Sequence, residues 1–226
     1  MAQPYYADDL VTLYHGDCRE VTEWLDADVL VTDPPYGIGW SKGRWAAQHN
    51  PASNDGIAGD KDTSVRDAAL AMWGTERPAL IFGSLRAMYP AGWKRMLVFH
   101  KPVTGSGLFG NRMPWRANWE PVFALGAWPE QTPALDAVIG TSEKCASGYS
   151  GYTTRYKHSH AKPVDTMETL ITACPPGVIA DPFTGSGSTL VAARNLGRSA
   201  VGVELEERYC ERAALRLSQM ALGFPA

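Results

Sequence analysis

Residues 178–204 constrain the fold more tightly than any other stretch. The apolar run Val178-Ile179-Ala180 ends in Asp181 and passes into Pro182-Phe183-Thr184-Gly185-Ser186-Gly187. Ser188 to Asn195 then reads as a helix, and Ser199-Ala200-Val201-Gly202-Val203 as a second strand ending in Glu204. Strand, glycine turn, helix and strand form the nucleotide-binding crossing of an α/β sheet. The glycines permit close backbone approach to a ligand, and a helix starting near Ser188 points amide donors at whatever sits above the strand. Glu204 lies about 20 positions beyond Asp181, where a strand-tip acid grips a ribose hydroxyl pair; the plainer alternative is a solvated strand end. The dinucleotide fingerprint is incomplete, because Leu190 stands where its third small residue belongs.

A second signature lies upstream. Val29-Leu30-Val31 runs to Asp33-Pro34-Pro35-Tyr36 and then Gly37. A strand that meets two prolines must leave its sheet there, since proline has no amide proton for the ladder and restricts the residue before it. The turn thus presents a carboxylate, two carbonyls and a phenol on a stiff frame, a set suited to methylating an aromatic exocyclic amine. The lone pair of such an amine is delocalised into its ring until acceptors draw its protons out of the base plane. Asp33 and the Pro34 carbonyl are candidate acceptors, and Tyr36 a stacking platform worth roughly 1–3 kcal/mol. The bland alternative is an ordinary turn with an Asp cap.

Together the two signatures resemble the S-adenosylmethionine-dependent DNA amino methyltransferases, and the order, catalytic turn before cofactor loop, is that of their β group. The resemblance covers most of the chain. It implies catalytic roles for Asp33, Pro34, Pro35 and Tyr36. The segment His15-Gly16-Asp17-Cys18 is similar to the one whose acid contacts the cofactor's adenine, and His160-Ala161-Lys162-Pro163 to the one that closes over its methionine end. Asp181, Phe183, Gly185 and Gly187 match residues lining the methionine side of the pocket, with Cys18, Ser188, Glu204 and Leu205 completing the expected S-adenosyl-L-methionine set. Taken alone, Asp17 is equally a turn acid and Lys162-Pro163 equally a helix lead-in.

The resemblance implies a Rossmann-like α/β fold: a mostly parallel seven-stranded sheet with helices on both faces and one antiparallel strand. Strands are expected near 10–14, 29–32, 79–82, 96–100, 121–125, 178–181 and 200–204, and helices near 63–74, 164–173, 188–195 and 206–220. At 226 residues and 45% hydrophobic, the chain suits one catalytic domain. Two segments fall outside that scaffold. Residues 38–62, polar and glycine-rich, form a candidate lid or base-flipping loop, and 126–159 a short target-recognition segment.

Net charge is −3, which on its face argues against a nucleic-acid partner, but the distribution is uneven. No acid occurs from Arg77 to Trp119, where Arg77, Arg86, Lys94, Arg95, Lys101, Arg112 and Arg116 fall, nor from Lys144 to Val164, where Tyr149, Tyr152, Arg155, Tyr156, Lys157 and His158 interleave. Lys42, Arg44, Arg112, Arg116, Tyr152, Arg155 and Lys157 are the candidate DNA contacts; ordinary solvated charge is the alternative. Cys18, Cys145, Cys174 and Cys210 are scattered with no Cys-x-x-Cys pair, so neither a zinc cluster nor a disulfide framework is suggested. No apolar run approaches a membrane span and the N-terminal residues lack a signal-peptide pattern, so a cytoplasmic location is expected.

The activity implied is methyl transfer from S-adenosylmethionine to the N6 amine of an adenine flipped out of double-stranded DNA, with a homodimer as a candidate assembly. Asp at the head of the turn leans toward adenine within the family. The alternatives are N4-cytosine methylation, methylation of RNA or of a protein glutamine, and a non-catalytic DNA-binding subunit.

Overall fold

The computed structural model describes residues 2–40, 56–101, 118–130, 134–142 and 161–221. Among these, nine strands form one sheet: β1 (Tyr6–Ala7), β2 (Val11–His15), β3 (Val29–Thr32), β4 (Ala79–Phe82), β5 (Arg95–His100), β6 (Trp119–Leu125), β7 (Val138–Ile139), β8 (Ile179–Asp181) and β9 (Ala200–Glu204). Their order across the sheet is β1-β2-β9-β8-β3-β4-β6-β5-β7. The helices are α1 (Ser64–Trp73), α2 (Val164–Thr172), α3 (Ser188–Asn195) and α4 (Glu207–Ala221), with a 3₁₀ turn at Glu23–Asp26.

The seven expected strands are all present. The expectation of seven with one antiparallel member is corrected by β1, antiparallel to β2, and by β7, parallel to β5 at the far edge. The antiparallel strand within the seven is β6, wedged between β4 and β5. Strand β7 falls inside the segment 126–159 set aside for target recognition, so part of that segment belongs to the scaffold.

Strands β3, β4 and β8 are buried at every position, as parallel strands covered on both faces must be. The pleat divides their side chains between two apolar layers. Val29, Val31, Leu80, Phe82 and Ile179 pack against Met167, Leu170, Leu190, Val191, Ala213 and Leu217 of α2, α3 and α4. Leu30, Ala79, Ile81 and Ala180 meet Trp24, Ala69 and Trp73 on the opposite face. There Trp24 and Trp73 stack at 5.9 Å and 9°, and the Arg77 guanidinium lies 3.6 Å above the Trp73 ring. Arg77 also donates to the carbonyls of Leu25, Ala27 and Trp73, so it is a structural clamp.

This layering positions the site. The chain leaves β3 toward α1 on one face and leaves β8 toward α3 on the other, although β3 and β8 are neighbours. Their C-terminal tips therefore diverge and open a crevice, the place where open α/β sheets bind ligands.

Candidate active site

Four strand tips converge on that edge. β8 ends in Asp181, 2% exposed, whose Oδ1 accepts from Thr32 Oγ1 at 2.6 Å and from the Phe183 amide at 3.1 Å. The Thr32 bond ties β8 to β3 across the switch point. Burial raises the Asp181 carboxyl to about 6, against the lowering effect of its donors Thr189, Thr32 and the Phe183 amide. Beyond it Gly185 and Gly187 both take positive φ, 54° and 87°. A Cβ on Gly187 would stand 2.9 Å from the Ala213 Cβ, so only glycine lets the N-terminus of α3 settle against α4.

Glu204 ends β9 and is 8% exposed. Its Oε2 accepts from the Gly185 amide at 2.7 Å and its Oε1 from the Glu206 amide at 2.8 Å; burial still raises its carboxyl. The carboxylate thus pins the glycine turn and the start of the following loop to one point. Across the ladder His15 pairs with Glu204, which brings Asp17 and Cys18 to the neighbouring tip. Asp17 is held by the backbone and side chain of Arg19, and the Arg19 guanidinium lowers its pKa. The Cys18 thiol is buried and pushed up to about 12, and its carbonyl accepts from Trp24 Nε1 at 2.8 Å. Leu205, half exposed, supplies an apolar rim.

At the tip of β3, Tyr36 Oη donates to Asp33 Oδ1 at 2.7 Å, and Lys162 Nζ donates to Asp33 Oδ2 at 2.5 Å and to Tyr36 Oη at 3.1 Å. Lys162 was placed with the cofactor set by resemblance; the structure brings its ammonium to the catalytic turn. No described residue donates to the carbonyl of buried Pro34. Gly37, at φ 74°, donates its amide to Asp60 at 2.8 Å, and Trp40 donates to the same carboxylate at 2.6 Å. Asp60, 3% exposed, therefore fastens both described ends of the 38–62 loop beside the turn.

Sequence reasoning missed Glu120. It lies on β6 with Oε2 3.4 Å from Lys162 Nζ, and its Oε1 pairs with Lys101. Lys162 also sits 4.8 Å above the Phe82 ring. Burial raises Asp33, with Lys162 opposing that rise and Glu120 adding to it. Burial disfavours charge on Lys162, but Asp33 and Glu120 together hold its ammonium above the ordinary lysine value. Burial likewise raises Glu120, and Lys162 and Lys101 outweigh it, leaving that carboxyl below its ordinary value. One signal for Glu120 was present: it is the sole acid between residues 77 and 129. The candidate DNA contacts Lys42, Arg44, Arg112, Arg116, Tyr152, Arg155 and Lys157 lie outside the described residues.

A mostly parallel α/β sheet with an acid-tipped glycine crossing, and an Asp-Pro-Pro-Tyr turn at its switch point, defines a nucleotide-cofactor transferase acting on an amine. The comparisons narrow this class. Residues 94–215 match the family model described as DNA methylase. The type II methyltransferase M.ScaI of Streptomyces caespitosus is 45% identical, over 98% of this chain and 86% of its own length. The chain belongs to the DNA methylase family, as an amino methyltransferase. Among solved structures, the cytosine-N4-specific PvuII DNA methyltransferase superposes with a TM-score of 0.65 at 15% identity, covering 95% of this chain and 89% of that one. The M1.HpyAVI–SAM complex gives 0.57 at 21% identity, covering 92% and 100%. Both show the same fold.

Proposed function

We propose that this DNA methylase transfers a methyl group from S-adenosyl-L-methionine to the N6 amine of an adenine flipped out of duplex DNA. The observation that carries the reading is the turn at the switch point: an Asp33 carboxylate oriented by Tyr36 and Lys162, next to a Pro34 carbonyl with no described donor. Two acceptors on one rigid frame match the two protons of an exocyclic amine. By withdrawing them, they return the lone pair to nitrogen and stabilise the charge that develops there, which is the differential binding catalysis requires.

The donor set at the neighbouring tips fits the cofactor. Glu204 uses one lone pair on each oxygen for a backbone amide, which leaves acceptor capacity for ribose hydroxyls. Asp181 and the positive-φ turn at Gly185 and Gly187 suit the methionine end, with Phe183 and Ser188 flanking it, and Asp17, Cys18 and Leu205 suit the adenosine end. When bound, the cofactor supplies an electrophilic methyl group. Asp33 and Pro34 orient the amine, Tyr36 offers its ring to the flipped base, and Pro35 stiffens the turn. The cations and tyrosine of the candidate DNA set supply backbone and base contacts, in a cytoplasmic modification enzyme.

The test is to incubate the protein with unmodified genomic DNA and S-adenosylmethionine, digest to nucleosides and identify the product by mass spectrometry. N6-methyldeoxyadenosine, absent with Asp33→Ala, is expected. N4-methyldeoxycytidine would overturn the choice of base. Methylated RNA or protein with unmodified DNA would overturn the substrate.

A further inference from the structure

We infer that Glu120 is a positioning residue for methyl transfer, which shares the Lys162 ammonium with Asp33 and so preserves the negative potential of Asp33 toward the target amine. The inference rests on the reading of Asp33 as the acceptor for that amine.

The argument starts from an acid in the wrong place. Glu120 is the second residue of β6, a strand whose centre, Pro121 to Ala124, is wholly buried, and it pairs in register with buried Phe99 of β5. A carboxylate in such a strand is disfavoured by desolvation unless other charges hold it there. Two do. Lys101 Nζ pairs with Oε1, while Oε2 faces Lys162 Nζ at 3.4 Å, closed off from solvent and without a well-formed hydrogen bond. The approach of Lys162 to Asp33 is much shorter, 2.5 Å. The result is an alternating set of charges, Lys101, Glu120, Lys162 and Asp33, with Tyr36 donating to Asp33 and lying beside Glu120 as well.

The set answers a conflict in the chemistry. Lys162 favours the ionised form of Asp33 against the burial that raises its carboxyl, but an ammonium hard against one carboxylate oxygen also weakens that carboxylate as an acceptor. It further opposes positive charge building on the amine nitrogen. A second carboxylate on the far side of the ammonium offsets both effects, because charges interact strongly across a few ångströms when water is excluded. Lys101 balances Glu120 in turn, so that the four charges sum to zero. Glu120 does this through Lys162, without touching substrate.

The experiment compares single-turnover methylation of DNA across pH for the parent, Glu120→Gln, Glu120→Asp and Asp33→Ala, with cofactor affinity measured by calorimetry. Glu120→Gln is expected to slow transfer at least tenfold while leaving cofactor affinity within twofold, and Glu120→Asp to recover most of the loss. Its acid limb should also move to lower pH, because removing the nearby negative charge makes Asp33 easier to ionise. A Glu120→Gln rate within twofold of the parent, or a slower rate with an unmoved acid limb, overturns the inference. If Glu120→Gln does not fold, Lys101→Met decides: it leaves Glu120 without its counter-charge, so the acid limb should move to higher pH, and an unmoved or lowered limb overturns the inference. Activity retained by Asp33→Ala would instead refute the reading on which it rests, whatever Glu120 does.

Discussion

Asp181 is predicted to weaken the fold it anchors. Its carboxyl is buried at the end of β8, and burial raises its pKa from 3.8 to about 6. Between those values the folded chain holds a proton that the unfolded chain has released, so stability falls as pH rises through the window and the loss is complete above it. Each unit of displacement corresponds to about 1.4 kcal/mol, giving about 3 kcal/mol at neutral pH as an upper bound. Asp181→Asn removes the charge and keeps an acceptor for Thr32 Oγ1 and the Phe183 amide. The variant should be more stable than the parent by about 1–3 kcal/mol at pH 7.5, with the gain shrinking to nothing near pH 4. Urea unfolding followed by tryptophan fluorescence at several pH values measures both, and calorimetry should show weakened cofactor binding. A less stable variant at pH 7.5, or a gain independent of pH, would refute the reasoning.

Two further outcomes test the scaffold. Arg77→Ala strips three carbonyls of a charged donor and uncovers the Trp73 ring; it should lower unfolding stability by about 2–3 kcal/mol while leaving DNA affinity unchanged in a binding titration. Gly187→Ala should lose about 2–4 kcal/mol, from a non-glycine residue at φ 87° and from the clash with Ala213. Adding Ala213→Gly should recover only the packing share in the same unfolding assay.

What was legible in the sequence follows from how local its cause is. The seven long strands and four helices could be read because each is an apolar run closed by glycine, proline or a polar cluster, as at Val29 to Pro34 and Gly187 to Gly197. Tyr6–Ala7 and Val138–Ile139 are two residues long, too short to show a period, and exist only because β2 and β5 offer them an edge. Arg77 looked like one cation among several because its partners, Leu25 and Ala27, lie some fifty residues away. Its other partner, Trp73, stands four residues earlier at the end of a helix and was the available clue. The pairing of Lys162 with Asp33 could not be read, since only the fold shows that the approach to α2 passes over Phe82 on its way to Asp33.

The carboxylates at this edge also bear on why the site is built as it is. Burial raises Asp33, Asp181 and Glu204 alike, so three acids gathered at adjacent strand tips each make the ionised fold less favourable than it need be. A stability optimum would replace them with amides or apolar residues, as proteins commonly trade stability for function at such places. Lys162 relieves Asp33, but no described lysine or arginine pairs with Asp181 or Glu204; both rely on hydroxyl and amide donors. The proposed cofactor carries a sulfonium, an ammonium and a carboxylate, a net positive charge, and such a ligand gains from carboxylates that no described lysine or arginine neutralises. Binding then stabilises the fold by mass action. It should do so most where those carboxylates are ionised, so the rise in unfolding temperature with S-adenosylmethionine should grow from pH 5 to pH 7.5. That direction is opposite to the pH dependence of the ligand-free protein through the Asp181 window, and it follows from the same buried charges.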